Sequence, residues 1–323
     1  MGDVKKIEEG LELVRTAEKC LKTTLLKWRP DFDVAAGEYS KAATCFKLAK
    51  SYEQCKECHL KASDCHRQNR SLFNAARSLE QAVLVCKEIG NLNDVAPLAD
   101  KASTFYQQQG SYDAAASALD KAAKIIESTQ PENALRLYQR AADVVSGEDN
   151  PRQAAEYVSK IARILVKLQM YDQAADAIRR EIGLHQQSES LAAIGRLAVA
   201  LVLVQLARGD TVAAEKAFKE WGNCCDAPEV QTLEMLLQAY DEEEPEQARR
   251  ALNSPFIKHM DVEYARLARD LPLPECTVVG PPKASVRPNA APSYVSPNSK
   301  PNQEQKPQPS PGHHEEDNEF SLC

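Results

Sequence analysis

The residues best equipped for chemistry in this chain are Cys55, Cys58, His59, Cys65 and His66, thiols and imidazoles of the kind that hold zinc. Their spacing of i, i+3, i+4, i+10 and i+11 projects all five from one face of a single helix. That face is about 16 Å long at the rise of an α-helix, whereas ligands of one tetrahedral ion lie about 2 Å from the metal. One turn supplies two or three ligands at most, and no second Cys/His cluster supplies the rest. The pattern therefore predicts a buried thiol stripe between helices, with no metal and no cofactor. Cys224-Cys225 follows Trp221-Gly222 near a helix end and has no histidine close in sequence. No Gly-rich phosphate loop, H-E-x-x-H or G-x-S-x-G occurs. The chain reads as a binding scaffold and not as an enzyme.

Three other stretches carry binding chemistry. Leu25, Leu26 and Trp28, flanked by Lys27 and Arg29, suit shallow insertion into an anionic bilayer surface or, alternatively, closure of an open helical end. Asp241, Glu242, Glu243 and Glu244 make an acidic corner, which on charge alone is a solvated face. The terminus HHEEDNEFSLC places Glu315, Glu316, Asp317 and Glu319 before Phe320 and Leu322, the composition of a docking peptide. Cys323 has no C-a-a-X context, and Lys6 stands where a myristoylation motif wants Ser or Thr.

The whole-chain totals narrow the partners. With 40 basic and 47 acidic residues the net charge is −7, which gives no support to nucleic-acid binding; attraction to an acidic partner needs a local basic face. No run of 18 or more apolar residues occurs, so no spanning helix is expected. Ten cysteines without a secretory signal read as reduced thiols in a cytoplasmic protein.

These stretches are positioned by a repeat. Ala115-Ala116 followed by Lys121-Ala122 has counterparts at Ala35-Ala36 with Lys41-Ala42, Ala75-Ala76 with Gln81-Ala82, and Ala154-Ala155 with Lys160-Ile161. Eight modules between residues 31 and 189 keep a period of 20 residues, with one step of 19. Each is rich in strong helix formers. Gly90 and Gly110 stand where C-cap glycines belong, and Asn150-Pro151, Asp113 and Asp172 stand at helix starts. A single turn between modules makes neighbours antiparallel, so two modules form a hairpin of 40 residues, longer than a tetratricopeptide unit of about 34. The small residue at Ala42, Ala62, Ala82, Ala102, Ala122 and Ala141 lets adjacent helices approach closely.

The expected fold is all-α: a right-handed superhelical solenoid of antiparallel hairpins over 1–190, capped by a helical bundle over 191–271. Leu191–Asp210 is apolar around nearly its whole circumference and should be buried in the core. Eleven of the 18 prolines lie between Pro272 and Pro311, so 272–323 reads as a disordered tether ending in the acidic, leucine-containing tail.

LKTTLLKWRPDFDVAAGEYSKAATCFKLAKSYEQCKE, ENALRLYQRAADVV, GDTVAAEKAFKE and SPFIKHMDVEYARLA closely resemble the gamma branch of the soluble NSF attachment protein (SNAP) family. The resemblance runs from about residue 5 to 270 and returns in the last residues. It implies a cytoplasmic adaptor, peripherally associated with membranes, that binds SNARE four-helix bundles of the syntaxin type. It further implies recruitment and stimulation of the hexameric ATPase NSF, which disassembles SNAREs in vesicle traffic. By the resemblance, Leu25, Leu26 and Trp28 match a membrane-attachment loop, Leu322 a penultimate leucine that stimulates NSF, and Asp241 to Glu244 an acidic contact for NSF. An acidic SNARE bundle needs a complementary face, for which Lys41, Lys101, Lys121 and Lys160 are the candidates. Ser117 and Glu156 fall where the alpha form carries lysines, which implies a narrower set of partners. The rival reading is a tetratricopeptide-like peptide-binding scaffold that carries no NSF.

Overall fold

Each 20-residue module becomes one helix. A computed structural model describes residues 2–23, 28–146 and 150–274. The first helix, α1 (Gly2–Leu21), is followed by the eight modules: α2 (Phe32–Leu48), α3 (Tyr52–Gln68), α4 (Leu72–Ile89), α5 (Val95–Gln108), α6 (Tyr112–Ile126), α7 (Pro131–Ser146), α8 (Pro151–Lys167) and α9 (Tyr171–Gln187). Then come α10 (Leu191–Arg208), α11 (Thr211–Trp221), α12 (Ala227–Asp241), α13 (Pro245–Leu252), α14 (Pro255–Lys258) and α15 (Val262–Asp270). Helices pack against their neighbours in chain order from α1 to α11, and no strand occurs among the described residues. The structure is an all-α solenoid.

The alanines make this stacking possible. Ala42, Ala62, Ala82, Ala102, Ala122 and Ala141 are all fully buried, as are Ala35, Ala36, Ala75, Ala76, Ala115 and Ala116. A methyl group at these positions lets helix backbones come close, and the longer apolar residues fill the remaining space. The turns repeat as well. Lys50, Arg70, Gly110, Gln169, Glu189 and Gly209 all have left-handed backbone, with φ between 55° and 82°. The N–H of the next residue then donates to a carbonyl five residues back, as in Ser51 to Phe46 (2.8 Å), Ser71 to His66 (2.9 Å), Ser111 to Tyr106 (2.9 Å), Met170 to Leu165 (2.9 Å) and Ser190 to His185 (2.9 Å). This is the Schellman closure, which satisfies the last carbonyls of one helix and reverses the chain in a single turn. The sequence marks it with glycine in only some modules; elsewhere a long polar residue accepts the strained conformation. At the opposite ends, the Asn150 side chain accepts from the Gln153 N–H (3.3 Å) with Pro151 at the first helical position, as their types predict.

The 20-residue beat ends at α10, whose residues from Ile194 to Leu206 are nearly all buried, Arg196 excepted. α10 is long and apolar enough to cross a membrane by length and mean hydropathy (1.8) alone, yet 67% of it is buried inside the structure. Its apolar circumference serves a core position instead. One hydrophobic cluster runs from Val83 to Leu271 through α10, with smaller clusters around α2–α3 and around α4–α6. Gly195 brings α10 against the turn after α11: a Cβ there would lie 2.4 Å from the Cys224 carbonyl oxygen. Gly183, in the middle of α9, has no such neighbour within 4 Å.

Gly183 and Gly195 should therefore respond oppositely to alanine. Gly183→Ala is expected to raise stability by about 0.5–1 kcal/mol, the helix-propensity gain. Gly195→Ala should lower it by at least about 1–3 kcal/mol, because backbone must move. Urea unfolding followed by circular dichroism measures both.

Candidate functional site

The thiol stripe is structural in its surroundings. Cys55, Cys58 and Cys65 on α3 are buried among Tyr39, Phe46 and the alanines of α2. Burial pushes the Cys58 thiol up to about 12 and the His59 imidazole down to about 4, so both are neutral near pH 7. Among the described residues no group of three or more His, Cys, Asp or Glu side chains is placed to hold a metal ion. Cys225, half-buried against α10, is likewise raised, to about 11, chiefly by burial.

The four candidate lysines all carry carboxylate partners. Lys41 pairs with Glu38 on its own helix (2.7 Å), Lys101 with Asp64 (3.7 Å), Lys121 with Glu80 (3.2 Å), and Lys160 with Asp120. Three of these pairs join a helix to the one two modules earlier, and Arg140 with Asp100 (2.8 Å) continues the series. Glu80, Asp100 and Asp120 each precede the basic-small position of their own module, and each meets the basic residue two modules on. Lys160 has only 19% of its side chain exposed and lies over the rings of Tyr138 (5.6 Å) and Tyr157 (5.0 Å). It is a packing residue as much as a surface charge. Lys41 and Lys121 remain mostly exposed. Lys101 lies on α5, an odd-numbered helix, while the other three lie on even-numbered ones.

Ser117 is half-buried on α6, whereas Glu156 on α8 is exposed at the rim of a cavity of about 600 Å³. Arg152, Lys160, Arg163, Glu181 and His185 also line this cavity. Glu181 is 4% exposed, and one of its carboxylate oxygens has no hydrogen-bond partner. Burial raises its carboxyl to about 7; Ser159 and Arg163 pull the other way. Arg163 holds Asp261 (2.8 Å), tying α8 to α15, and the buried Tyr264 hydroxyl and His185 Nδ1 are unpartnered. Sequence reasoning passed over this group, although a signal existed: Glu181 occupies the beat position that is alanine at 42, 62, 82, 102 and 122. The repeat buries that position whatever residue fills it.

Asp241, Glu242, Glu243 and Glu244 are all exposed. They form another Schellman turn, with Glu243 left-handed (φ 55°) and the Glu244 N–H donating to Ala239 O (2.8 Å) between α12 and α13. Trp28 is 87% exposed, so little of it is covered by the helices beside it. Leu25, Leu26 and Leu322 lie outside the described residues.

Stacked helical hairpins whose buried groups serve packing, with charged outer faces, define a helical-repeat scaffold. The model of the family "Soluble NSF attachment protein, SNAP" matches residues 8–254, and the chain belongs to that family. It is 25% identical over 271 residues to the gamma-soluble NSF attachment protein of Arabidopsis thaliana, an alignment covering 83% of this chain and 93% of that one. With the gamma-soluble NSF attachment protein of Dictyostelium discoideum it shares 24% over 266 residues, 81% and 82% of the two chains. An alpha-soluble NSF attachment protein of Vitis vinifera is 27% identical over 164 residues, 50% of this chain and 56% of that one.

The Glu181 geometry has a pH consequence. In the unfolded chain its carboxyl ionises near 4.5, while in the fold it holds its proton to about 7. Between those values the folded state binds more protons, so this contribution is full below 4.5 and is lost as pH rises through 7. Glu181→Gln should therefore gain stability over the native chain across that window, by up to about 3 kcal/mol. Paired urea titrations at pH 4.5 and 7.5 read the difference.

Proposed function

We propose that this protein is a cytoplasmic adaptor in vesicle traffic, itself without enzymatic activity, that binds assembled SNARE bundles and recruits and stimulates NSF. The observation that carries this reading is the family match over residues 8–254, reinforced by gamma-type relatives aligned over four-fifths of the chain. In this reading residues 1–190 bind SNAREs, 191–271 meet NSF, and 272–323 tether the stimulating tail. Lys41 and Lys121 supply basic charge to an acidic four-helix partner; their ion pairs are exposed and weak enough to exchange for a partner's carboxylates. Lys101 contributes from the neighbouring row, and Lys160 chiefly by holding α8 in place. Asp241 to Glu244 present four carboxylates to NSF on a rigid turn. Leu25, Leu26 and Trp28 touch the membrane surface, a role supported by the exposure of Trp28.

Pull-down of SNARE complex with this protein, NSF and ATP should yield a ternary complex; its absence would leave a peptide-binding scaffold of the tetratricopeptide type. Lys41→Glu with Lys121→Glu is expected to weaken SNARE capture about tenfold at low salt, and less at high salt. Removing Leu322-Cys323 should lower NSF stimulation while SNARE capture stays unchanged. On liposomes bearing SNAREs, Leu25→Ser with Leu26→Ser and Trp28→Ser should reduce co-sedimentation; unchanged sedimentation would reassign the loop to closing the solenoid.

A further inference from the structure

The cavity of about 600 Å³ beside Lys160 has walls that the adaptor reading does not use. It follows one face of α8 from Arg152 to Arg163, three turns or about 16 Å. Because α9 runs antiparallel, it brings Glu181 to the Arg163 end and Ser188 to the Arg152 end. Ser190, also in the wall, begins α10. The two ends differ in chemistry. At the outer end Arg152 is exposed and makes no ion pair among the described residues. Ser190 is the N-cap of α10, a helix of 18 residues, and its hydroxyl makes no capping bond. Its carbonyl accepts from the N–H groups of Ala193 (3.2 Å) and Ile194 (3.3 Å), which leaves those of Leu191 and Ala192 without a backbone partner. A guanidinium beside a helix start is a seat for an oxyanion. Glu156, one turn along the same rim, keeps the local charge low and so favours one phosphate over several.

The inner end is built for hydroxyls. Glu181 is 4% exposed and one of its oxygens has no partner; the buried His185 Nδ1 and Arg163 Nε also lack one. Below about pH 7 burial keeps the Glu181 carboxyl protonated, and burial lowers the His185 imidazole. Both are then neutral groups that donate and accept, as a hydroxyl does. Buried polar atoms without partners are costly to the protein. A polyol laid against them would satisfy them, and a cavity of this volume holds a hydroxylated ring carrying a phosphate.

We propose that this cavity binds a phosphorylated polyol, with one phosphate at Arg152 and the start of α10 and the hydroxyl-bearing ring against Glu181, His185 and Ser159. The binding needs neither SNARE nor NSF, so it stands or falls separately from the adaptor reading.

Isothermal titration of the full chain with myo-inositol 1-phosphate tests it, and one saturable site is expected. Arg152→Ala should weaken that binding at least about tenfold, the loss of a charge-assisted hydrogen bond. Glu181→Met keeps the volume and removes both hydrogen-bonding functions. It should weaken binding about fivefold while the urea midpoint holds or rises, a split that damage to the fold would not produce. Vesicles of phosphatidylinositol, compared with vesicles of phosphatidylserine, separate the two sources of such a group. Selective co-sedimentation that Arg152→Ala abolishes assigns a lipid headgroup; equal sedimentation assigns a free solute. The proposal is overturned if the full chain shows no binding at millimolar solute. It is equally overturned if inorganic phosphate binds as tightly, which makes the cavity a plain anion site, or if Lys219→Ala on the exposed face of α11 weakens binding as much as Arg152→Ala.

Discussion

Everything in this structure depends on how closely consecutive helices can approach. Six alanines at one beat of the repeat are fully buried, and each lies where a larger side chain would hold two helices apart. Close approach turns each module into one rung, and a Schellman turn reverses the chain between α2 and α3, α3 and α4, α5 and α6, α8 and α9, and α9 and α10. The spacing is therefore set by covalent length and by methyl groups, and the surfaces that meet partners are presented at fixed intervals along a stiff support.

Charge follows the same spacing. Acids that precede the basic-small position reach the basic residues two modules later, so each row of alternate helices is laced to itself by pairs some 40 residues apart in sequence. Individually such pairs contribute little where they are exposed, but they orient the lysines and lower the net potential of the stripe.

The junction between solenoid and terminal helices is built differently, from polar groups taken out of water. Arg163, Asp261, Glu181, His185 and Tyr264 join α8, α9 and α15, and several of their polar atoms lack partners. A buried polar group without a partner is costly, so this junction is a less forgiving part of the molecule than the alanine-packed rungs. It also faces the cavity beside Lys160, which places the least satisfied groups next to the proposed partner surface.

Periodicity, composition and caps determined a great deal on their own: one helix per 20 residues, the antiparallel hairpins, the buried alanines, the buried thiol stripe, and the core position of α10. These are local or strictly repeated properties, and a repeat reports its own packing because every rung solves the same problem. The apolar stretch around Trp28, the acidic corner and the tail were legible as chemistry but not as geometry, since charge and apolar content say nothing of what lies opposite. Only the tertiary structure decided that the candidate lysines are already paired, that Lys160 is packed between two tyrosines, and that Glu181 is buried. It alone showed that Gly195 rests against the Cys224 carbonyl. Apart from the Lys41–Glu38 pair and the Lys160–Tyr157 contact, each within one helix, those facts depend on which distant residue comes to stand within a few ångströms, and a one-dimensional pattern carries that information only where the repeat itself encodes it.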